Sequence, residues 1–333
     1  MSTSAQVAPT LSDYARHSPY SDPGPHAGLL AAVPPDRASV ATAARSAVVH
    51  YRAGNPELSD EQRADPDLRW LAKMLDAATA RQAGPIDAPR DLARQVGGCC
   101  RDHTLLSVGA LRQHGVPARS RVGFAGYFEP SFHYDHVVVE VWDDGRWVRW
   151  DPELEPGPHW GFDVLDMPVG PGAQFETAAE VWRAVRSGAA DAGAYGVDSS
   201  LPHLCGKEFV RDEVLLELAH RERDEVLLWD LWGPMLRAPF LAELVGRADV
   251  AVPDIDSDTY DALADEIAAL LVAADAGDAA AEAELAERYA SGPLLRPGDR
   301  IMTASPTGRI GCTDLRARTT AWLSTRPDAA VME

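Results

Sequence analysis

Cys100, His136 and Asp151 are the side chains in this sequence whose types and order suit covalent chemistry. A thiol can act as nucleophile, an imidazole as its base, and a carboxylate behind the imidazole can hold it in place. Their settings differ in a useful way. The run Gly97-Gly98-Cys99-Cys100-Arg101-Asp102-His103 opens a predicted helix, Asp135-His136 enters a strand, and Trp150-Asp151-Pro152 ends the next strand. A helix start presents unpaired N–H groups and the positive end of the helix dipole, which predicts a lowered pKa for Cys100. Those N–H groups can also face a developing oxyanion. The two glycines predict a tight backbone turn before the cysteine.

The partners depend on a hairpin. Asp143-Asp144-Gly145 is a turn signal between two strand-like runs, His136 to Trp142 and Arg146 to Trp150. With Asp144-Gly145 at its centre, Trp142 faces Trp147, Glu140 faces Arg149 and Val138 faces Asp151. His136, Val138, Glu140, Arg149 and Asp151 then share one face. His136 and Asp151 become diagonal neighbours. The valines 137, 139, 141 and 148, with Trp150, share the other face, which covers a core. The polar face is expected to meet the cysteine helix.

Other elements frame this unit. Residues 1 to 44 are rich in Pro, Ser, Ala and Gly and predict an irregular N-terminal arm, with helical patterning from about Ala41. Ser59 to Ala80 has helical spacing, with a break at Asp65-Pro66. Arg101 to His114 predicts the cysteine helix, capped by Gly115 and stopped by Pro117. A strand-like run covers Ala118 to Phe124, and a loop follows the hairpin from Glu153 to Pro171. The remainder reads as mainly helical: Ala178 to Ser187, Val210 to Leu231, Thr259 to Ala274 and Ala279 to Ala290. The apolar positions of Val210 to Leu231 need a partner surface, and Trp229 to Gly233 is where contact with the core is expected, including one wall of a substrate pocket.

Several of these segments resemble a known family. Cys100-Arg101-Asp102, the run from Ala110 through Gly115-Val116-Pro117-Ala118-Arg119, Gly123-Phe124, Asp135-His136, Glu140-Val141-Trp142, Arg146-Trp147 and Asp151-Pro152 look like the core of the transglutaminase-like superfamily of cysteine enzymes. The likeness covers about residues 90 to 155. Phe209-Val210-Arg211 and Trp229 to Gly233 resemble, more weakly, a downstream segment of stand-alone bacterial members. The resemblance implies Cys100 as nucleophile, His136 as base and Asp151 as orienter. It implies an α+β, papain-like core over residues 45 to 165, with a helix bearing the cysteine against an antiparallel sheet. Residues 166 to 333 would form a helical region packed on it. Family members often carry an upstream aromatic or amide side chain that completes the oxyanion hole, and Trp70 and Gln95 are both candidates. Nothing here matches the calcium-binding organisation of animal tissue transglutaminases.

Composition limits the alternatives. With 333 residues and 46% hydrophobic content the chain can bury a sizeable core. Its formal net charge of -20 argues against nucleic acid or an anionic membrane as partner, and solubility alone accounts for it. The start, Met1 to Gln6, lacks the features of a signal peptide, and the apolar run Ile267 to Ala274 is too short to span a bilayer. A cytoplasmic protein is expected. The four cysteines, 99, 100, 205 and 312, make no disulfide framework. A lone cysteine is most often a small core residue, which is the reading for Cys99. His103 and the neighbouring thiols lack the spacing of a zinc site, so no metal or other cofactor is expected. His133 is a rival base, but moving from His136 to His133 inverts the strand face and needs a bulge. The tryptophans 142, 147 and 150 read as packing residues, and Glu140 with Arg149 as a cross-strand ion pair.

The expected function is thiol-dependent acyl transfer on an amide or ester, small-molecule or peptide, with an amine acceptor slightly favoured. The alternatives are an amide-hydrolysing cysteine peptidase or amidase, and a binding protein that keeps the fold without catalysis. Oligomeric state is not legible.

Overall fold

The structure, a computed structural model, describes residues 8–170 and 172–326. The Met1–Gln6 start and Pro171 lie outside the described residues. Helices of ten or more residues are numbered in chain order, as are all strands.

The N-terminal segment is more ordered than its composition suggests. Tyr14 and Tyr20 are buried, and the Tyr14 hydroxyl donates to the Arg221 carbonyl at 2.9 Å. Helix α1, Arg37–Ala47, begins four residues before the expected Ala41. Asp36 caps it by accepting from the Ser39 N–H, and Val40, Ala41, Ala43, Ala44 and Ala47 are buried. The expectation of an irregular arm through residue 44 is thus corrected. Alanine at core-facing positions lets this helix approach its neighbours closely, and that pattern is easily mistaken for low complexity. Strand β1, Val48–His50, follows directly.

The expected break at Asp65-Pro66 is present as a 3-10 turn, Asp65–Leu68, between a short helix, Asp60–Ala64, and α2, Leu71–Arg81. Strand β2, Val96–Gly98, pairs in parallel with β1, with His50 opposite Gly98. The two glycines therefore lie in a strand and not in a turn. They are required by close approach: a Cβ on Gly97 would stand 2.2 Å from the Gln62 carbonyl oxygen, and one on Gly98 would meet Asp102 Oδ2 at 2.8 Å.

Helix α3, Cys100–Gln113, is the centre of the molecule. Every residue from Cys100 to Arg112 is buried. Its charged residues are accordingly paired: Arg112 donates to Glu225 Oε1 at 2.7 Å, and Arg101 donates to the Arg69 carbonyl at 2.6 Å. Gly115, at φ +71°, ends the helix as expected.

The main sheet has the order β5-β4-β3-β6, built from β3 (Ala118–Glu129), β4 (Phe132–Asp143), β5 (Arg146–Trp150) and β6 (Phe175–Thr177). The hairpin register is the expected one, with Trp142 opposite Trp147, Glu140 opposite Arg149 and Val139 opposite Trp150. Asp144 and Gly145 both have positive φ, as the turn requires. One expectation about this sheet is corrected. Helix α3 packs on the valine face: Val137, Val139, Val141, Val148 and Trp150 share its core, and the Thr104 hydroxyl donates to the Val137 carbonyl at 2.8 Å. The polar face instead carries a buried charge network. Glu140 accepts from Arg119 at 2.8 Å and from Arg149 at 3.0 Å, and Arg121 donates to Glu217 at 2.9 Å.

After β6 come α4 (Ala178–Ser187), a two-residue strand β7 (Tyr195–Gly196) beside β4, and α5 (Lys207–Arg221). Helix α5 stops ten residues short of the expected Leu231. Arg223 takes φ +70° and the Asp224 N–H bonds back to the Ala219 carbonyl, which ends the helix. Helices α6 (Ser257–Asp275) and α7 (Ala279–Ser291) match their sequence periods.

The region from residue 166 onward is not purely helical. Strands β8 (Asp230–Leu231), β9 (Arg300–Ala304), β10 (Arg309–Asp314) and β11 (Thr319–Thr325) form a second antiparallel sheet in the order β11-β10-β9-β8. A hydroxyl ladder crosses it: Thr303 to Thr313 and Thr313 to Thr320, each at 2.9 Å. The ladder ends at Asp230, which accepts from Thr303 at 2.8 Å and from Arg69 Nε at 2.9 Å. Arg69 and Asp230 are fully buried, so this ion pair fastens the second sheet to the segment just before α2. No helix among the described residues is long and apolar enough to cross a membrane.

Candidate active site

Cys100 begins α3, with Cys99 as the cap residue. The Cys99 N–H donates to Asp102 Oδ2 at 2.9 Å, which ties the first turn together. The N–H of Cys100 itself has no acceptor within the helix, as for any first-turn residue. His103 is wedged between the Cys99 and Val48 carbonyls, at 3.0 and 3.2 Å. It braces the junction of β1 with α3. Among the described residues, no group of three or more His, Cys, Asp or Glu side chains could hold a metal ion.

His136 and Asp151 come together across the hairpin. His136 Nε2 is 2.8 Å from Asp151 Oδ2, and both side chains are buried. Asp151 has two further donors: the Tyr127 hydroxyl at 2.5 Å on Oδ2, and the Glu153 N–H at 2.9 Å on Oδ1. Burial opposes the charge on Asp151, but His136 and these donors outweigh it and hold the carboxyl below its ordinary value. Burial likewise opposes charge on His136, and Asp151 outweighs it, so the imidazole is raised above its ordinary value. Because Asp151 is ionised near neutral pH, Nε2 carries the proton it donates, and Nδ1 is the nitrogen left to act as base.

The sequence alone does not single out Tyr127. It sits in β3 just beyond the matched pairs, where the register with β4 shifts between Ala125 and Glu129. The irregularity turns Tyr127 toward Asp151, and strand alternation does not foretell it. Its ring packs edge-on to His136 at 5.9 Å, and Phe128 does the same at 5.4 Å. Trp160 meets Tyr127 edge-on at 6.0 Å, and Phe162 packs tilted against it at 5.4 Å. The imidazole–carboxylate pair beneath Tyr127 is buried, while Phe128 is itself exposed.

Cys100 and His136 line the same cavity, of 2060 Å³. Tyr51, Asp135 and Glu153 line it as well. The Cys100 thiol does not follow the sequence expectation of a lowered pKa. Burial pushes it well above its ordinary value, reinforced by the Cys99 thiol, Asp135 and Glu153. A thiol raised in this way gives up its proton only to a base, and His136 lines the same cavity.

The oxyanion candidates lie elsewhere. Gln95 donates its amide to the Arg45 carbonyl at 2.8 Å, closing the end of α1. Trp70 is buried in the core before α2, under the Arg69 guanidinium at 5.3 Å. Neither lines the cavity. The rival base His133 packs against Tyr195 at 4.5 Å, with Glu176 3.5 Å from its Nδ1, and is also absent from the cavity wall.

Comparison with known proteins gives the family of this segment. Residues 50–152 match the profile of the Transglutaminase-like superfamily. This segment is a transglutaminase-like core. It begins at His50 in β1 and ends at Pro152, so the match spans Cys100, His136 and Asp151. The transglutaminase-like segment, with its buried thiol and His–Asp pair, supports cysteine-based catalysis. Among solved structures, the chain is similar to a protein described as a candidate cysteine protease from Cytophaga hutchinsonii. The identity is 16% over 42% of this chain and 40% of that one, with a TM-score of 0.28. The chain thus spans well under half the length of that structure. No curated protein matches the sequence.

Proposed function

We propose that the protein is a thiol-dependent acyltransferase that moves an acyl group from an amide or ester to an amine. The observation that carries this is the pairing of His136 with Asp151 on the wall of the cavity that also holds Cys100. The Cys100 proton passes to His136 Nδ1 as sulfur attacks the carbonyl carbon. Asp151 stabilises the imidazolium, and the Cys100 N–H at the helix start faces the oxyanion. His136 returns the proton to the leaving amine or alcohol, and a thioester remains on Cys100. An amine then attacks the thioester, gives its proton to His136, and the thiol re-forms. Tyr127 and Trp160 pack beside the buried His136–Asp151 pair, and an amine acceptor is favoured to the extent that water is kept from it. Hydrolysis by the same acyl-enzyme is the competing reading, favoured by the size of the cavity, which admits a peptide as readily as a small molecule.

The test uses p-nitrophenyl acetate with the full chain. Intact-mass and peptide mapping should show one acetyl group on Cys100, absent from Cys100→Ala. Adding an amine should divert the acetyl group to the amide product. Acetate as the sole product at saturating amine would favour hydrolysis, and no adduct on Cys100 would remove the enzyme reading.

A further inference from the structure

The cavity wall opposite the catalytic helix is formed partly by α5, where Phe209, Asp212, Glu213 and Leu216 point into the cavity at helical spacing. Glu213 is only 2% exposed, and its Oε2 has no hydrogen-bond partner. A buried carboxyl oxygen without a partner is uncommon and calls for an explanation. The charged groups around it provide none. Asp212 accepts from the Tyr260 hydroxyl at 2.8 Å, and Arg211, the nearest cation on α5, donates instead to Asp261 at 2.9 Å. One turn on, Glu217 is held by Arg121 at 2.9 Å and by the Ala179 N–H at 2.7 Å. Across the cavity, Asp135 accepts no hydrogen bond from the described residues. The closest guanidinium that influences it, Arg52, is bound to Asp198 at 2.6 Å.

Asp135 acts electrostatically on Glu213, and both line the cavity; Asp135 is itself opposed by His136, its neighbour in β4, and by Arg52, whereas no cation among the described residues acts on Glu213. Burial, then Asp135, Asp212 and Glu217, push Glu213 well above the ordinary carboxyl value, and burial pushes Asp135 up to about 6. Two such groups in an apolar-walled cavity are costly to ionise alone and gain strongly from a cation placed between them. Tyr51, Phe128, Tyr134 and Phe209 line the same walls, and aromatic rings attract cations placed over their faces.

We propose that Glu213 and Asp135 form a cation subsite that holds an ammonium or guanidinium group of the substrate. The proposal rests on the reading of this cavity as the substrate site, and it extends that reading to the charge of the molecule bound. It concerns equilibrium binding alone, so its test is separable from catalysis.

The experiment uses the full chain carrying Cys100→Ala, which removes turnover. Titration calorimetry with n-butylguanidinium and n-butylammonium should show binding, and the neutral isostere n-butylurea should bind far more weakly. Glu213→Gln should weaken binding of the cations by about tenfold or more, the loss expected for a charged hydrogen bond, and leave n-butylurea unaffected. Cation binding should also release protons near pH 7, read as a dependence of the heat on the buffer's ionisation enthalpy. The release should disappear in Glu213→Gln. Asp135→Asn is the second variant, should the first fail to fold, with the same expected direction. Equal affinity for n-butylurea and n-butylguanidinium, or unchanged cation binding in both variants, would overturn the subsite. A failure of acetyl transfer by the unmodified protein would bear on the proposed reaction and leave this result intact.

Discussion

His136 Nε2 lies 2.8 Å from Asp151 Oδ2, which leaves Nδ1 as the imidazole nitrogen able to accept a proton. The pair sets the pH dependence. Asp151 raises His136 above its ordinary value, and the base works only when neutral. The acid limb of kcat/KM for ester acylation should therefore have a midpoint above the ordinary histidine value of 6.5. Asp151→Asn removes the charge that raises it, so the midpoint should move to lower pH and the plateau should fall by roughly a hundredfold or more. A pH profile unchanged in Asp151→Asn would contradict the pairing.

The Tyr127 hydroxyl shares the same acceptor oxygen at 2.5 Å. Tyr127→Phe keeps the edge-on ring contact with His136 and removes one donor to a buried carboxylate. Activity should fall by roughly tenfold, consistent with one charged hydrogen bond, while the thermal melt changes little. Full activity in Tyr127→Phe would show that the Glu153 N–H and His136 suffice to hold Asp151.

On the polar face of the main sheet, Glu140 serves three arginines, 119, 121 and 149. Burial opposes its charge, but these cations outweigh it and bring Glu140 down to about 2 from an ordinary 4.5. A depressed carboxyl stabilises the fold at pH above the unfolded value, and that contribution is lost as pH falls from 4.5 toward 2. Glu140→Gln strands the arginines and should cost about 3–5 kcal/mol at neutral pH, measured by urea unfolding. It should also flatten stability against pH across that window. A variant as stable as the parent would show that the arginines find other partners.

The transglutaminase-like core depends on segments C-terminal to it. Arg69 needs Asp230, and Arg112 needs Glu225, and all four are buried. A fragment of residues 45 to 165 leaves both arginines in apolar surroundings without counter-charges and should not fold, as read by circular dichroism and solubility. Trp232→Ala in the full chain removes a ring that is 2% exposed and whose Nε1 donates to the Leu295 carbonyl at 3.0 Å. It should cost about 3–5 kcal/mol. A soluble fragment with a cooperative melt would show an independent core.

The hairpin is legible to the residue, because Asp144-Gly145 fixes the turn and the valine alternation fixes the faces. So are the cysteine helix and its glycine stop, and the pairing of His136 with Asp151. The features that escape have physical causes. Tyr127 depends on a register shift in β3 that no period announces. The upward shift of the Cys100 thiol depends first on burial under segments distant in sequence, then on Cys99, Asp135 and Glu153. The second sheet does carry a signal: Thr and Ile in short runs, with Thr307-Gly308 as a turn and Gly308 at φ +77°. Its strands are short and come after a long helical stretch, which outweighs the local pattern. Gln95 and Trp70 have suitable side chains, but tertiary packing commits the amide to the end of α1 and buries the indole.

The central claim is that Cys100 is a nucleophile activated by His136. It is tested most directly by timed iodoacetamide alkylation of the full chain at neutral pH, with each cysteine quantified by peptide mass spectrometry. Cys100 should react well ahead of Cys99, Cys205 and Cys312, in the parent and in Cys99→Ala alike, and His136→Ala should slow it to the rate of the others. Faster alkylation of any other cysteine, or a Cys100 rate unchanged by His136→Ala, would contradict the account.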